Sequence, residues 1–378
     1  MTTSLWPLRP LGRCAKFLSG GTPSKARPDF WEGDIPWVSS GEMTEKRIHD
    51  TSLRITTEAA EAGSRLVPSN TVLAVVRGMS LANEFRIAIT RREVAFNQDL
   101  KAFACVPDVE SEFLFYALLA RREYIRNLAT EASHGTKKLE TDVLASVQIA
   151  VPQPEIQRQA VSILASYDDL IENNRRRMTL LEESARLLYR EWFVLLRFPG
   201  YEHTRISDGV PEGWEKKTLG ECITLNYGKA LKAEVRIDGE YPVYGSSGIV
   251  GSHEKPLVKG PAIILGRKGN VGSVYWSSKS FYPIDTVYFV DAESSSLYLY
   301  YALKHMHFIS TDVAVPGLNR DFAYSRPLLR PTATMLRAFL KTVTPIHAQL
   351  DKLDEMNQKL RTARDLLLPR LMSGEIAV

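Results

Sequence analysis

Apolar residues recur at alternating steps of three and four along two stretches of this chain, residues 164–192 and 343–371. Leu164 corresponds to Val343, and the later positions of the two stretches keep the same displacement. Such a heptad stripe is typical of a coiled-coil seam. The pattern therefore predicts two long helices, with seam residues Leu164, Tyr167, Ile171, Asn174, Met178, Leu181, Leu188, Ile346, Leu350, Leu353, Asn357, Leu360, Arg364 and Leu367.

A mixed segment precedes each heptad stretch, and the two segments repeat the same order of patterns. Residues 71–76 and 262–265 each form a short apolar run, typical of a buried strand, that leads to a glycine beside an arginine. Helical spacing follows at 111–128 and at 297–308. Agreement in order across several individually weak patterns predicts an internal duplication.

The predicted fold class is α+β, with two similar mixed α/β domains separated by two long antiparallel coiled-coil helices and related by a pseudo-two-fold internal repeat. The antiparallel arrangement is favoured because the helix 164–192 is about 44 Å long, at about 1.5 Å per residue. A parallel pairing would force about 15 residues of the linker 197–214 to stretch almost fully, to about 50 Å. The expected boundaries are 1–152 for the first domain, 153–198 for the central spacer helix, 199–330 for the linker and second domain, and 331–378 for the C-terminal spacer helix.

The polar residues within the seam allow two interpretations. One antiparallel register places Asn174 opposite Asn357 and Tyr167 opposite Arg364, so that the polar seam residues meet and fix the alignment. In the other interpretation, Asn357 and Arg364 face solvent at a wide seam.

Composition narrows the class of protein. A chain of 378 residues with 44% hydrophobic and 24% charged residues is typical of a soluble protein with two cores. We expect a cytoplasmic location and no membrane association, because no segment resembles a membrane span or a signal peptide. Cys14, Cys105 and Cys222 match no metal spacing. The net charge of +4 is too small for non-specific DNA coating, so any nucleic-acid contacts must be locally concentrated.

Motifs for catalysis are missing from the sequence. It contains neither the Asp/Asn-Pro-Pro-aromatic run of amino-methyltransferases nor a Walker A loop. The glycine-rich segment 266–272 has the wrong spacing for a dinucleotide fingerprint. It is interpreted as a basic loop that approaches phosphate, or as a tight hairpin with solvated charges. We therefore predict no catalytic site, no metal site and no cofactor bound by this chain.

Polar and basic residues in loops after predicted strands are the candidates for base reading. Arginine suits guanine, and asparagine or glutamine suits adenine, whereas lysine more often contacts phosphate. Each candidate is also open to interpretation as a turn former or a solvated charge. The candidates are Ser39, Ser40, Arg77, Asn97, Gln98, His134, Thr136, Lys137, Lys138, Ser246, Ser247, Arg267, Lys268, Asn270, Asn319 and Arg320.

Five segments carry a resemblance to a known family. They are VPQPEIQRQ at 151–159, LIENNRR at 170–176, the run LEESA to LYREWF within 181–193, PEGW with TLGE within 211–221, and LPRLMSGEI at 368–376. Together they make the whole chain similar to the DNA-specificity (S) subunit of type I restriction-modification enzymes.

The resemblance implies two target-recognition domains, each of which reads one half of a bipartite site on double-stranded DNA. It further implies that the helices set the gap and dock two methyltransferase (modification) subunits. S-adenosylmethionine is then expected on those subunits, and ATP with Mg²⁺ on further restriction/translocase subunits, while this chain is not an enzyme. Two alternatives are a coiled-coil scaffold or adaptor without sequence-specific DNA reading, and a self-contained DNA-modifying enzyme.

Overall fold

The computed structural model describes residues 5–133, 135–308 and 317–376. It contains two compact units. The first unit comprises Met1–Glu172 with Asn357–Val378, and the second unit comprises Asn173–Met356. Two long helices, Pro154–Tyr189 and Ala333–Ser373, each contribute one half to each unit. The units therefore combine segments that are far apart in sequence, unlike the four consecutive segments predicted above.

Local signals account for the ends of the long helices. Pro154 opens the first long helix, a position where its missing amide hydrogen costs nothing. The Thr332 hydroxyl accepts a hydrogen bond of 3.2 Å from the Met335 amide and so caps the second long helix. That helix ends at Ser373, and the next residue, Gly374, has a φ of +78°, the left-handed conformation that glycine adopts at little cost.

The residues predicted for the seam lie on the less exposed side of the two long helices. Every predicted seam residue is buried or half-buried. In the first unit, Leu164 and Leu368 lie in one core, and Asp168 forms an ion pair with Arg364. Residue numbers rise along one helix while they fall along the other, which confirms the antiparallel arrangement of these helix halves.

The polar seam residues are buried, so the solvent-facing interpretation is wrong. Asn357 and Arg364 are only 1% and 6% exposed. The buried charged partner of Arg364 is Asp168, the residue that follows the proposed partner Tyr167, and the more exposed Asp365 also pairs with Arg364. A buried guanidinium is best satisfied by carboxylates. The pairing of Asn174 with Asn357 stays a prediction.

In the first unit, short strands form several small sheets around three hydrophobic clusters. The central sheet has the order Ala15–Ser19, Leu100–Cys105, Val72–Val75, Ile87–Thr90 and Arg47–Ile48. The other strands are Leu8–Pro10, Ile35–Val38, Arg54–Ile55, Leu66–Val67, Arg77–Gly78, Val94–Phe96, Thr130–Ser133, Thr136–Lys138 and Gln148–Ala150. The shorter helices are Leu11–Cys14, Pro28–Trp31, Thr57–Gly63, Met79–Ala82, Ser111–Ala120, Arg122–Asn127 and Thr141–Ser146.

The second unit repeats this plan. Its central sheet has the order Asn226–Tyr227, Val287–Val290, Ala262–Gly266 and Val274–Ser277. The other strands are Ile206–Ser207, Val210–Pro211, Glu215–Thr218, Tyr241–Gly245, Gly248–His253, Tyr282–Pro283 and Pro327–Arg330. The shorter helical segments are Arg190–Val194, Tyr201–His203, Leu219–Cys222, Ala233–Val235, Leu297–His305 and Arg320–Tyr324.

Strand pairing establishes the duplication at the level of topology. Both units contain a parallel pair at the same place in the chain order, Ile35–Val38 with Val94–Phe96 and Tyr241–Gly245 with Tyr282–Pro283. In each unit the following strand then returns to the central sheet as the antiparallel neighbour of the buried central strand. The predicted α+β class with an internal repeat is thereby confirmed.

Candidate nucleic-acid interface

A tight loop follows the buried central strand Ala262–Gly266 of the second unit. The amides of Arg267 and Lys268 both donate to the carbonyl of Thr286, at 2.9 and 3.1 Å. The Leu318 amide donates to the carbonyl of Arg267 at 2.8 Å, and Lys268 bridges to Gly317. The backbone thus brings two candidate segments that are 50 residues apart in sequence, 267–270 and 317–320, to one place.

Tyr227 completes this surface, and sequence reasoning missed it. The guanidinium carbons of Arg267 and Arg320 lie 5.0 and 5.3 Å from the centroid of the Tyr227 ring. The ring itself is 49% exposed. Tyr227 stands in a two-residue strand, where only the register with Val287–Val290 places it beside the arginines. We name Tyr227, Arg267, Lys268 and Arg320 the Tyr227 surface.

The Tyr227 surface carries positive charge without an internal counterion. Within the part of the chain that the structure describes, no carboxylate lies within 4.0 Å of the side-chain nitrogens of Arg267, Lys268 or Arg320. Arg267 is nevertheless held in place, because its Nη1 donates to the carbonyl of Asp285 at 2.9 Å. Uncompensated guanidinium groups are suited to bind phosphate or the acceptor edge of a base.

Two other candidates in the second unit have structural roles. The Asn319 side chain accepts hydrogen bonds from the amides of Asp321 and Phe322, at 2.7 and 3.1 Å, and so caps the helix Arg320–Tyr324. Ser246 is 8% exposed, and its Oγ accepts from the Asn270 amide at 3.3 Å. These two side chains stabilise the loops through hydrogen bonds with backbone amides.

The remaining candidates of the second unit, Ser247 and Asn270, are exposed on the loops that Ser246 joins. Their side chains are therefore accessible to a ligand, next to the segment that carries Arg267 and Lys268.

The first unit brings four of its candidates together in a small sheet. The strand Arg77–Gly78 pairs with Thr136–Lys138, with Lys138 opposite Arg77 and Lys137 opposite Gly78. Lys138 forms an exposed ion pair of 2.8 Å with Glu140. The candidate His134 lies outside the described residues. Arg77, Thr136, Lys137 and Lys138 thus form a basic edge.

The loop that carries Arg77 is built like the loop of the second unit. The amides of Val76 and Arg77 both donate to the carbonyl of Asp99, at 2.9 and 3.3 Å, and the Leu139 amide donates to the carbonyl of Val76 at 2.8 Å. This pattern makes Val76 the counterpart of Arg267, and Arg77 the counterpart of the lysine that follows it. The duplication therefore extends to the candidate interface.

The other candidates of the first unit lie on neighbouring loops. Asn97 is 6% exposed, and its Oδ1 accepts from the Asp99 amide at 3.1 Å, so its side chain closes a turn. Gln98 is exposed, and its Oε1 accepts from the Thr22 hydroxyl at 2.6 Å. Ser39 and Ser40 are half-buried. They lie beside this turn, because the Asn97 amide donates to the carbonyl of Val38.

Metal ligands and reactive thiols are not features of the described residues. Among these residues, no group of three or more histidine, cysteine, aspartate or glutamate side chains could hold a metal ion. Burial raises the pKa of the Cys14 thiol to about 11, and burial also raises the pKa of Cys105 and of Cys222. Within the same residues, no helix is long and apolar enough to cross a membrane.

Comparison with known proteins decides the family. The model of the type I restriction modification DNA specificity domain matches residues 4–183 and 211–321, more than half of the chain. This chain belongs to that family. Its role is to provide DNA sequence specificity in a type I restriction-modification system, as the sequence motifs predicted.

Relatives in the family span the full length of the chain. The specificity subunit of the type I restriction enzyme MjaIX from Methanocaldococcus jannaschii is 23% identical over 411 residues, which cover 99% of this chain and 94% of the relative. That of EcoprrI from Escherichia coli is 26% identical over 341 residues, covering 83% and 74%. The crystal structure of the type I S subunit from M. genitalium shares the fold, with a TM-score of 0.59 at 18% identity over 98% and 97% of the two chains.

Proposed function

We propose that this specificity protein is a non-catalytic subunit in which each unit reads one half of a bipartite target on double-stranded DNA. One observation carries the proposal. The same loop, held by the same three backbone hydrogen bonds, presents basic residues at equivalent places in the two units. A single chain with two readers suits a target made of two short half-sites.

The long helices are the proposed spacer and the docking site for the modification subunits. The first long helix has 36 residues, about 54 Å at about 1.5 Å per residue. Exposed leucines interrupt its polar surface, with Leu170 50% and Leu180 67% exposed. On the second long helix, Met356 and Leu366 are exposed in the same way. Exposed apolar side chains on otherwise polar helices favour a partner that covers them.

The chemistry of the complex is proposed to reside in its other subunits. Two methyltransferase (modification) subunits would carry S-adenosylmethionine, and restriction/translocase subunits would carry ATP with Mg²⁺. This division agrees with the absence of methyltransferase and Walker A motifs from the sequence. The specificity protein then contributes only DNA binding and assembly.

Methylation mapping tests the proposal. The full chain is co-expressed with its modification subunit, and methylated adenines are mapped across the host genome by single-molecule sequencing. We expect one motif of two short half-sites with a fixed gap. A stable complex that methylates no defined motif would instead support a scaffold without DNA reading, and methyl transfer by the isolated chain would contradict the non-catalytic role.

A further inference from the structure

The Tyr227 surface has the geometry of a base reader rather than that of a general phosphate contact. Two guanidinium groups lie over one exposed aromatic ring, at 5.0 and 5.3 Å from its centroid. Cation–π contact with the ring restricts the rotamers of both arginines before DNA arrives. A side chain held in one orientation loses less entropy on binding, and can discriminate between base edges.

Arg267 is the more firmly held of the two arginines. Its Nη1 donates to the Asp285 carbonyl at 2.9 Å, while its guanidinium carbon also lies 5.8 Å from the centroid of the Tyr288 ring. Arg320 is exposed and has the ring of Tyr324 on its other side, at 5.9 Å. The guanidinium groups of Arg267 and Arg320 therefore both retain N–H donors that can reach a ligand.

We propose that Tyr227, Arg267 and Arg320 form the base-reading surface of the second unit, and that this surface recognises guanine. The bidentate fork of arginine matches the O6 and N7 acceptors that guanine presents in the major groove. Tyr227 acts as a positioning residue for the two forks. The inference rests on the proposed function, since it names the residues and the base through which the second unit would read its half-site.

The first unit carries different side chains at the equivalent places. Tyr227 pairs with Tyr288 and Ser19 pairs with Lys101, and both partners lie two residues after the carbonyl that accepts the two loop amides. Ser19 is therefore the counterpart of Tyr227, and its hydroxyl accepts from the Lys101 ammonium at 2.6 Å. Val76, the counterpart of Arg267, is buried.

The two half-sites must then differ in sequence, and the target is asymmetric. The scaffold places an aromatic ring with two arginines in one unit and a serine–lysine pair in the other. A cation occupies the same position in both loops, Arg77 in the first unit and Lys268 in the second. We assign this shared position to phosphate, because phosphate contacts fix register without specifying sequence.

The test uses the full chain in complex with its modification subunit. Binding is measured on duplexes that carry the mapped motif and on duplexes in which each base pair of the motif is replaced in turn. The variants are Arg267→Ala, Arg320→Ala, Tyr227→Ala and Tyr227→Phe. Arg330→Ala is the control, because Arg330 is an exposed arginine of the second unit whose side chain lies 3.8 Å from Glu215.

We expect Arg267→Ala and Arg320→Ala to weaken binding to the cognate duplex about tenfold or more and to relax the preference for a G·C pair in one half-site only. Tyr227→Ala should have the same effect, whereas Tyr227→Phe keeps the ring and should retain specificity. Arg330→Ala should change nothing. Thermal unfolding of each complex checks that the variants remain folded.

Several results would overturn the inference. They are a half-site without guanine, arginine variants that keep the wild-type preference, or a loss of affinity that is equal on all sequences. Each of these leaves the proposed function standing, provided that the wild-type complex methylates a bipartite motif. A wild-type complex that methylates no defined motif would instead contradict the proposed function itself.

Discussion

At the scale of single residues, one hydrogen bond recurs in both units and links a domain helix to a long helix. The Tyr116 hydroxyl donates to Asp168 at 2.8 Å in the first unit. In the second unit the Tyr301 hydroxyl shares a bond of 2.8 Å with Nε2 of His347. Asp168 and His347 hold the same heptad position, yet only Asp168 has a charged partner, Arg364. The duplication has thus kept the tyrosine and changed its hydrogen-bond partner.

Removal of Arg364 should destabilise the protein strongly. The Arg364→Ala change leaves the carboxylate of Asp168, whose side chain is only 12% exposed, buried without its cation. Loss of one partner from such a pair costs about 3–5 kcal/mol. Urea denaturation measures the change. Arg370→Ala is the control, since Arg370 pairs with Glu375 at the surface, and it should cost less than about 1 kcal/mol. Equal effects of the two substitutions would refute this account.

His347 should make the stability of the protein depend on pH. Burial lowers the pKa of its imidazole from 6.5 to about 4 in the folded protein. Between these values the unfolded chain binds the proton and the folded chain does not, so the free energy of unfolding should fall as the pH drops from 6.5 to 4. The loss should be on the order of 2 kcal/mol.

The control for the His347 prediction is His347→Gln, which keeps a polar partner for Tyr301 but does not titrate. Denaturation of both proteins at pH 7 and at pH 4.5 gives the difference in their stabilities. That difference should shift in favour of the variant at the lower pH. A difference that does not change with pH would show that His347 is not held neutral.

At the scale of elements, each long helix has a buried face and an exposed face. Their inner faces complete the cores of the units. In the second unit Phe339 is fully buried, and its ring centroid lies 5.0 Å from that of Phe193 and 6.2 Å from that of Tyr189. Their outer faces carry exposed leucines such as Leu180. A helix therefore stabilises its own unit and stays available to a partner.

Two substitutions should distinguish the contributions of the buried and exposed faces. Phe339→Ala removes a ring from a closed aromatic cluster and should cost about 3–5 kcal/mol of unfolding free energy. Leu180→Ala should leave stability within about 0.5 kcal/mol of the wild type, yet weaken capture of the modification subunit. Denaturation measures the first effect, and co-purification with the modification subunit measures the second. Unimpaired capture by Leu180→Ala would exclude that residue from the proposed docking face.

At the scale of the whole molecule, the proposed function requires a fixed separation between the two half-site readers. In the proposed function the long helices supply it, because both belong partly to each unit. A change in their length that preserves the heptad pattern would keep the seam intact and alter only the spacing.

Insertion of one heptad in each long helix, after Glu172 and before Asn357, should lengthen the gap of the methylated motif. Seven residues add about 10 Å of helix, or about 3 base pairs at about 3.4 Å per pair. Methylation mapping reads the gap directly, and both half-sites should be unchanged. The control insertion in one helix alone shifts the seam and should destabilise the protein. An unchanged gap after the double insertion would mean that the helices do not set it.

The sequence by itself determined what depends on local spacing. The three-four stripe specified both long helices and their buried faces, and the repeated order of patterns specified the duplication, because periodicity and order are properties of neighbouring residues. Charged loop residues such as Arg267 and Arg320 could also be found, since a turn after a strand is a local signal. The tertiary structure alone decided which of these side chains meet. Backbone pairing over tens of residues places Tyr227 beside both arginines, and the Asn319 side chain caps the helix Arg320–Tyr324. Contacts between distant segments depend on strand register and packing, which no local pattern encodes.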